Sequence, residues 1–194
     1  MTTGCNTQLQ GVPGAPVRTT VTPHMATVRR RAGELAVEHE VRTRAAELPL
    51  DFSATGVMAN AARVTDAFRS HLERTALARV DVNWPAYNVL YQLWLWGDMD
   101  TRELAELTFL TKGILTSTVT TLEDRNFVAR KPLPDDKRFV LVKLTANGKR
   151  AAIKLVQEVN AQEVAIAEVL ATADKGQVAA SMRALLLSID ELAS

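Results

Sequence analysis

The feature that most constrains this chain is a change of hydrophobic period near residue 127. Upstream, apolar residues recur every three or four positions, behind residues that cap helices. Asp51 or Ser53 precedes Val57, Ala61, Val64, Phe68 and Leu72. Asn83 and Pro85 open a run of Tyr87, Val89, Leu90, Tyr91, Leu93, Trp94 and Leu95, closed by Gly97. That segment is apolar on most of its circumference and is expected to be central. Asp100 and Glu103 form a D-x-x-E cap before a short helix ending near Thr108. Phe109-Leu110 is a tight connection, and Thr111 caps a helix from Lys112 to Arg125, with Asn126 suited to the left-handed conformation at its end. From Phe127 to Lys131 and from Arg138 to Leu144 the pattern is strand-like, with a Pro132-Leu-Pro-Asp-Asp-Lys137 turn between. Thr145 caps a long helix from Ala146 to about Ala171, and Asp174 begins the last one.

The helix from Lys112 to Arg125 places Leu115, Val119 and Leu122 on one face. The opposite face carries Gly113, Thr116, Ser117, Thr120 and Asp124. A small polar face of this kind can enter a major groove. The hairpin beyond it holds Arg130, Lys131, Lys137 and Arg138. Those cations suit a phosphate backbone or minor groove, and Pro132 and Pro134 mark an open loop. Short helix, tight turn, second helix and hairpin follow one another in winged helix-turn-helix order. The charge agrees: the chain carries +1 overall, yet residues 101–150 hold ten basic and six acidic side chains, net +4. A local polyanion-binding surface has that distribution.

Several classes are disfavoured. With 47% apolar residues the chain has ample material for a core. Val89–Trp96 is its greasiest stretch and is far short of the ~20 apolar residues of a membrane span. Met1–Gln10 is polar and predicts no secretory signal. Cys5 is the single cysteine, so a reducing, cytoplasmic setting is expected. His24, His39 and His71 are scattered and form no metal-ligand spacing. No glycine-rich phosphate loop, nucleophile elbow or paired histidine and nucleophile is evident, so neither an enzyme nor a cofactor is expected.

Four spaced elements carry a family resemblance: Thr111-Lys-Gly, Leu122 to Arg130, Pro134 to Arg138 with its D-x-R at Asp136-Lys137-Arg138, and the L-T-x-x-G of Leu144–Gly148. Over residues 53–192 the chain resembles the MarR family of bacterial transcriptional regulators. The resemblance implies a mainly α fold with a small β wing, in which a winged helix-turn-helix lobe over residues 83–145 sits on a dimerisation base of residues 51–80 and 146–192. Residues 1–24 read as a disordered tail, native or an appended leader ending near His24-Met25, and residues 25–50 as an additional helix spanning about 26–48.

The resemblance further implies a homodimer that binds a near-palindromic duplex operator. Expected DNA contacts are Lys112, Gly113, Thr116, Ser117, Thr120, Thr121, Arg130, Lys137 and Arg138, with Asp136 steadying the wing's basic residues. Where the family commonly places basic residues on the recognition helix, this chain has Ser117 and Thr121, so its affinity should lean on the wing. Repression by occluding a promoter is the expected mode. The resemblance also implies a pocket for a small-molecule effector, for which His71, Arg74, Trp84, Tyr87 and Tyr91 are the candidate residues. Aromatic side chains on a central helix serve equally well as core. The competing reading of the whole chain is a winged-helix protein-interaction module without specific DNA binding.

Overall fold

The computed structural model describes Arg30–Arg31 and residues 34–132 and 140–193. The chain divides into two units, residues 1–62 and 63–194. In the first, β1 (Arg30–Arg31) pairs antiparallel with β2 (Glu34–Leu35), and α1 (Ala36–Arg44) follows. Of the segment expected to be one helix over 26–48, Ala36–Arg44 is helical, whereas Arg30–Arg31 and Glu34–Leu35 pair as strands. The Leu35 N–H donates to Glu38 Oε2 at 2.6 Å, which starts the helix there. Arg44 pairs with Glu40 as the i,i+4 spacing predicts, and Arg42 reaches back to Glu34 at 3.3 Å. Asp51 caps α2 (Phe52–Arg74), accepting from the backbone of Ser53 at 2.8 Å and of Ala54 at 3.1 Å.

The second unit takes α2 from residue 63 onward, a 3-10 turn at Ala78–Val80, and then α3 (Trp84–Trp96), β3 (Met99–Asp100), α4 (Thr101–Thr108) and α5 (Lys112–Asp124). β4 (Val128–Pro132), β5 (Val140–Leu144), α6 (Ala146–Ala167) and α7 (Thr172–Ala193) complete it. The three strands lie in the order β3-β5-β4, all antiparallel. Val128 stands opposite Leu144 and Pro132 opposite Val140, while Met99 pairs with Val142. The sheet therefore has a strand that the hairpin alone does not foretell.

Leu72, Leu77, Val89, Leu90, Leu104, Val119, Leu122, Val128, Val142 and Leu155 form the fully buried centre. They come from α2, the turn after it, α3, α4, α5, β4, β5 and α6, and α3 packs against α4, α5, α6 and β5. Helix α7 buries none of its described residues, and Leu186, Leu187 and Leu192 are exposed. No helix among the described residues is long and apolar enough to cross a membrane.

Candidate nucleic-acid interface and adjoining cavities

The geometry of α4 and α5 is set by side chains adjacent to them in sequence. Asp100 accepts from the N–H groups of Arg102 at 2.7 Å and Glu103 at 2.9 Å, and Glu103 returns an acceptor to the Asp100 N–H at 2.9 Å. Phe109 ends α4 in the left-handed region, φ 54°, and Thr111 Oγ1 accepts from the Ile114 N–H to start α5. A single left-handed residue lets the chain reverse in three positions. Asn126, φ 55°, does the same after α5.

Helix α5 buries Leu115, Thr118, Val119 and Leu122. Lys112, Gly113, Thr116, Ser117, Thr120 and Thr121, the six sequence-nominated residues on this helix, are all exposed on the opposite side. Their hydroxyls are pinned. Thr116 donates to the Lys112 carbonyl at 2.7 Å, Ser117 to Ile114 at 2.9 Å, Thr120 to Thr116 at 2.9 Å and Thr121 to Ser117 at 3.0 Å. With the proton engaged by the helix, the exposed oxygens of Thr116, Ser117 and Thr121 are left as acceptors.

Arg130 on β4 lies against this helix. Its guanidinium donates to Thr120 Oγ1 at 2.7 Å and to the Thr116 carbonyl at 3.2 Å, and stands 3.5 Å from Glu123. Its own N–H donates to Glu123 Oε1 at 3.1 Å. Arg130 thus ties β4 to α5, a use that the sequence did not suggest. Lys131, next along β4, is exposed. Asp136, Lys137 and Arg138 lie outside the described residues. Between α4, α5 and the wing strands opens a cavity of about 460 Å³ whose lining includes Ala105, Leu115, Val119 and Val140 with Arg102, Lys112 and Arg130.

A second cavity, of about 590 Å³, opens where α3 meets the end of α2 and the middle of α6. Three of the five residues nominated for a ligand, Trp84, Tyr87 and Tyr91, line it. His71 and Arg74 do not. His71 Nε2 is instead hydrogen-bonded to Gln162 Oε1 at 2.7 Å, joining α2 to α6. Arg74 lies six residues past the lining Phe68, about 240° around the helix and so on another face. The sequence also missed the far wall, Val156, Val159, Asn160 and Glu163 on α6, and Trp94 on α3. Trp94 follows Tyr91 by three residues on the same face of α3, so helical spacing could have found it; nothing in local spacing signals the α6 residues, which meet α3 only through packing. Tyr87 has its hydroxyl pKa pushed up to about 12, first by burial and then by the negative charges of Glu163 and Tyr91.

A capped short helix, a left-handed turn, a second helix with a polar face and an adjoining strand pair define a winged helix-turn-helix protein. Residues 82–140 match the MarR family. Over 124 residues the chain is 30% identical to an uncharacterized HTH-type transcriptional regulator, YwaE, of Bacillus subtilis, covering 62% of this chain and 72% of that protein. The crystal structure of NadR in complex with 4-hydroxyphenylacetate is similar at a TM-score of 0.57 and 25% identity, covering 67% of this chain and 91% of that one. AbfR, solved in reduced form bound to DNA, shares the fold at a TM-score of 0.60 and 19% identity, with 73% and 96% of the two chains covered. The chain belongs to the MarR family of transcriptional regulators.

Proposed function

We propose that the protein is a homodimeric repressor that binds a near-palindromic operator in duplex DNA and is released by a small-molecule effector. It binds rather than catalyses, and acts in the cytoplasm. The observation that carries the reading is the exposed hydroxyl face of α5, Thr116, Ser117, Thr120 and Thr121, held beside a basic wing. Pinned threonine oxygens accept from base amino groups, and threonine methyls meet the thymine methyl. Lys112 and Lys131, with Lys137 and Arg138 in the sequence between the wing strands, supply phosphate contacts. The dimer is supported by α7, whose Val178, Met182, Leu186 and Ile189 recur at helical spacing and are exposed in the single chain. A second copy would cover them, and its two-fold axis would set half-sites about one helical turn, ~10 bp, apart. The aromatic cavity is the effector site in this reading: occupancy favours a dimer whose recognition helices are wrongly spaced for the half-sites.

The test is selection of bound sequences from random duplexes with the full chain, repeated with Thr116→Ala and Lys131→Ala. A palindrome is expected. Thr116→Ala should relax the preference at one position of each half-site. Lys131→Ala should weaken all sequences alike and lower the salt slope by about 1. If no sequence is enriched at any salt concentration, the DNA reading fails and the protein-interaction module takes its place.

A further inference from the structure

The two cavities carry opposite charge. The one beneath α5 is lined, among the described residues, by Arg102, Lys112 and Arg130 and by no carboxylate. The aromatic one is lined by a single formally charged residue, Glu163, among its described lining residues. Asn160 Nδ2 donates to Glu163 Oε2 at 3.0 Å, which orients the carboxylate without neutralising it. No ion pair of Glu163 occurs among the described residues. Along the opposite wall runs a file of rings. Trp84 and Tyr87 have centroids 5.6 Å apart, Tyr87 and Tyr91 5.8 Å, and Tyr91 and Trp94 6.0 Å. Successive planes are tilted by 36° to 42°, so the rings are not stacked flush. An aromatic face attracts a cation within about 6 Å of its centroid, most strongly for Trp and Tyr. The negative charge of Glu163 reaches this wall, since it helps to hold the Tyr87 proton. NadR is solved with an aromatic carboxylate. A carboxylate in this cavity would face Glu163 with no lining cation to offset it.

We propose that the effector of this protein is a small organic cation, a protonated or quaternary amine carrying an apolar or aromatic group, seated between the Trp84–Tyr87–Tyr91–Trp94 file and Glu163. This rests on the aromatic cavity being the effector site. Tyr87 and Tyr91 contribute hydroxyls, and Asn88 and Gln92 add amides, that can accept from an N–H-bearing ligand.

The experiment is calorimetric titration of the full chain with three probes sharing one benzyl group: benzyltrimethylammonium, benzyl alcohol and phenylacetate. The cation should bind about tenfold or more tighter than phenylacetate. Glu163→Gln should weaken the cation about fivefold and leave benzyl alcohol unchanged. Tyr91→Leu should weaken the cation by about fivefold to tenfold. Phenylacetate binding as tightly as the cation, indifference of the cation to both substitutions, or no heat from any probe up to millimolar concentration would each overturn the inference. The two readings fail separately. Selection of an operator with no cation preference sinks the cation alone. Cation binding sensitive to Glu163→Gln, with no enriched DNA sequence, sinks the DNA reading alone.

Discussion

Replacing Gly148 by alanine should loosen the wing from the helix that follows it. Gly148 lies in the first turn of α6, and a Cβ built there falls 1.8 Å from the Phe127 carbonyl oxygen, 2.7 Å from its carbon and 3.1 Å from its Cα. All three are backbone atoms, so no side chain can swing aside. Relief requires the turn at Asn126–Phe127 and the start of α6 to part. That junction is held by the Thr145 N–H donating to the Phe127 carbonyl at 3.0 Å and by Thr145 Oγ1 donating to the Asn126 carbonyl at 2.7 Å. Losing both costs about 2 kcal/mol. The residual overpacking adds about 1–3 kcal/mol, and the better helix propensity of alanine offsets about 1 kcal/mol. A net loss of about 2–4 kcal/mol follows, the lower end if the junction can hinge. Urea unfolding followed by far-UV circular dichroism measures it, with wild type and variant at one protomer concentration, since a dimer's midpoint depends on concentration. Gly113→Ala is the control. It too is a helical glycine, but its added Cβ meets nothing within 4 Å, so it should gain up to about 1 kcal/mol. If Gly148→Ala unfolds at the wild-type midpoint or above while Gly113→Ala is stabilised, the backbone-clash argument is wrong.

Other outcomes can be checked in the same way. Asp100→Ala should lose about 1–2 kcal/mol, since two N–H groups of α4 lose their acceptor, and Asp100→Asn should recover most of it. Arg125→Ala should lose about 2 kcal/mol in the same unfolding assay: the guanidinium donates to the carbonyls of Val80, at 2.8 Å, and Asp81, and lies 4.8 Å from the Phe127 ring centroid. Lysine should not replace it, because one ammonium cannot reproduce the fork. Tyr87 ionises at about 12 in the folded protein against an ordinary 10. The folded state thus holds the proton more tightly, so its share of stability is intact below pH 10 and is lost as pH rises from 10 to 12. Tyrosinate absorbance should show a step near pH 12 that Tyr87→Phe removes; a Tyr87→Phe profile identical in shape to wild type above about pH 11 would refute the shift. Finally, Gly113→Ala, though stabilising, should weaken operator binding if the α5 N-terminus approaches a phosphate closely; unchanged affinity would mean that it does not.

The helix starts were legible because the interactions that make them are local. A capping side chain reaches an N–H two or three residues away, so Asn83, Asp100, Thr111 and Thr145 could be read without knowing the fold, and each caps its helix in the structure. The same holds for Asn126, whose left-handed turn is a property of one residue. At the N-terminal side the reading failed. Charge pairs at helical spacing suggested one helix over 26–48, but Glu38 is used at the backbone of Leu35, and the chain before it pairs as strands.

What the sequence alone determined is the order and period of the helices from α2 onward, the two wing strands and the polar face of α5. These follow from which side chains tolerate water and which backbone positions need a cap. What only the tertiary structure decided is which of those residues meet. Met99–Asp100 becomes a strand because β5, some forty residues on, offers unpaired backbone groups beside it. Arg130 turns inward to Thr116, Thr120 and Glu123 because β4 runs along α5. Gly148 is required because the backbone of Phe127 occupies the place of a side chain. Glu163 comes to face the aromatic file only because α6 packs across α3. Periodicity tells which face of a helix is buried, but the identity of the neighbour across that face depends on how all the buried faces fill one core at once, and no local spacing encodes that.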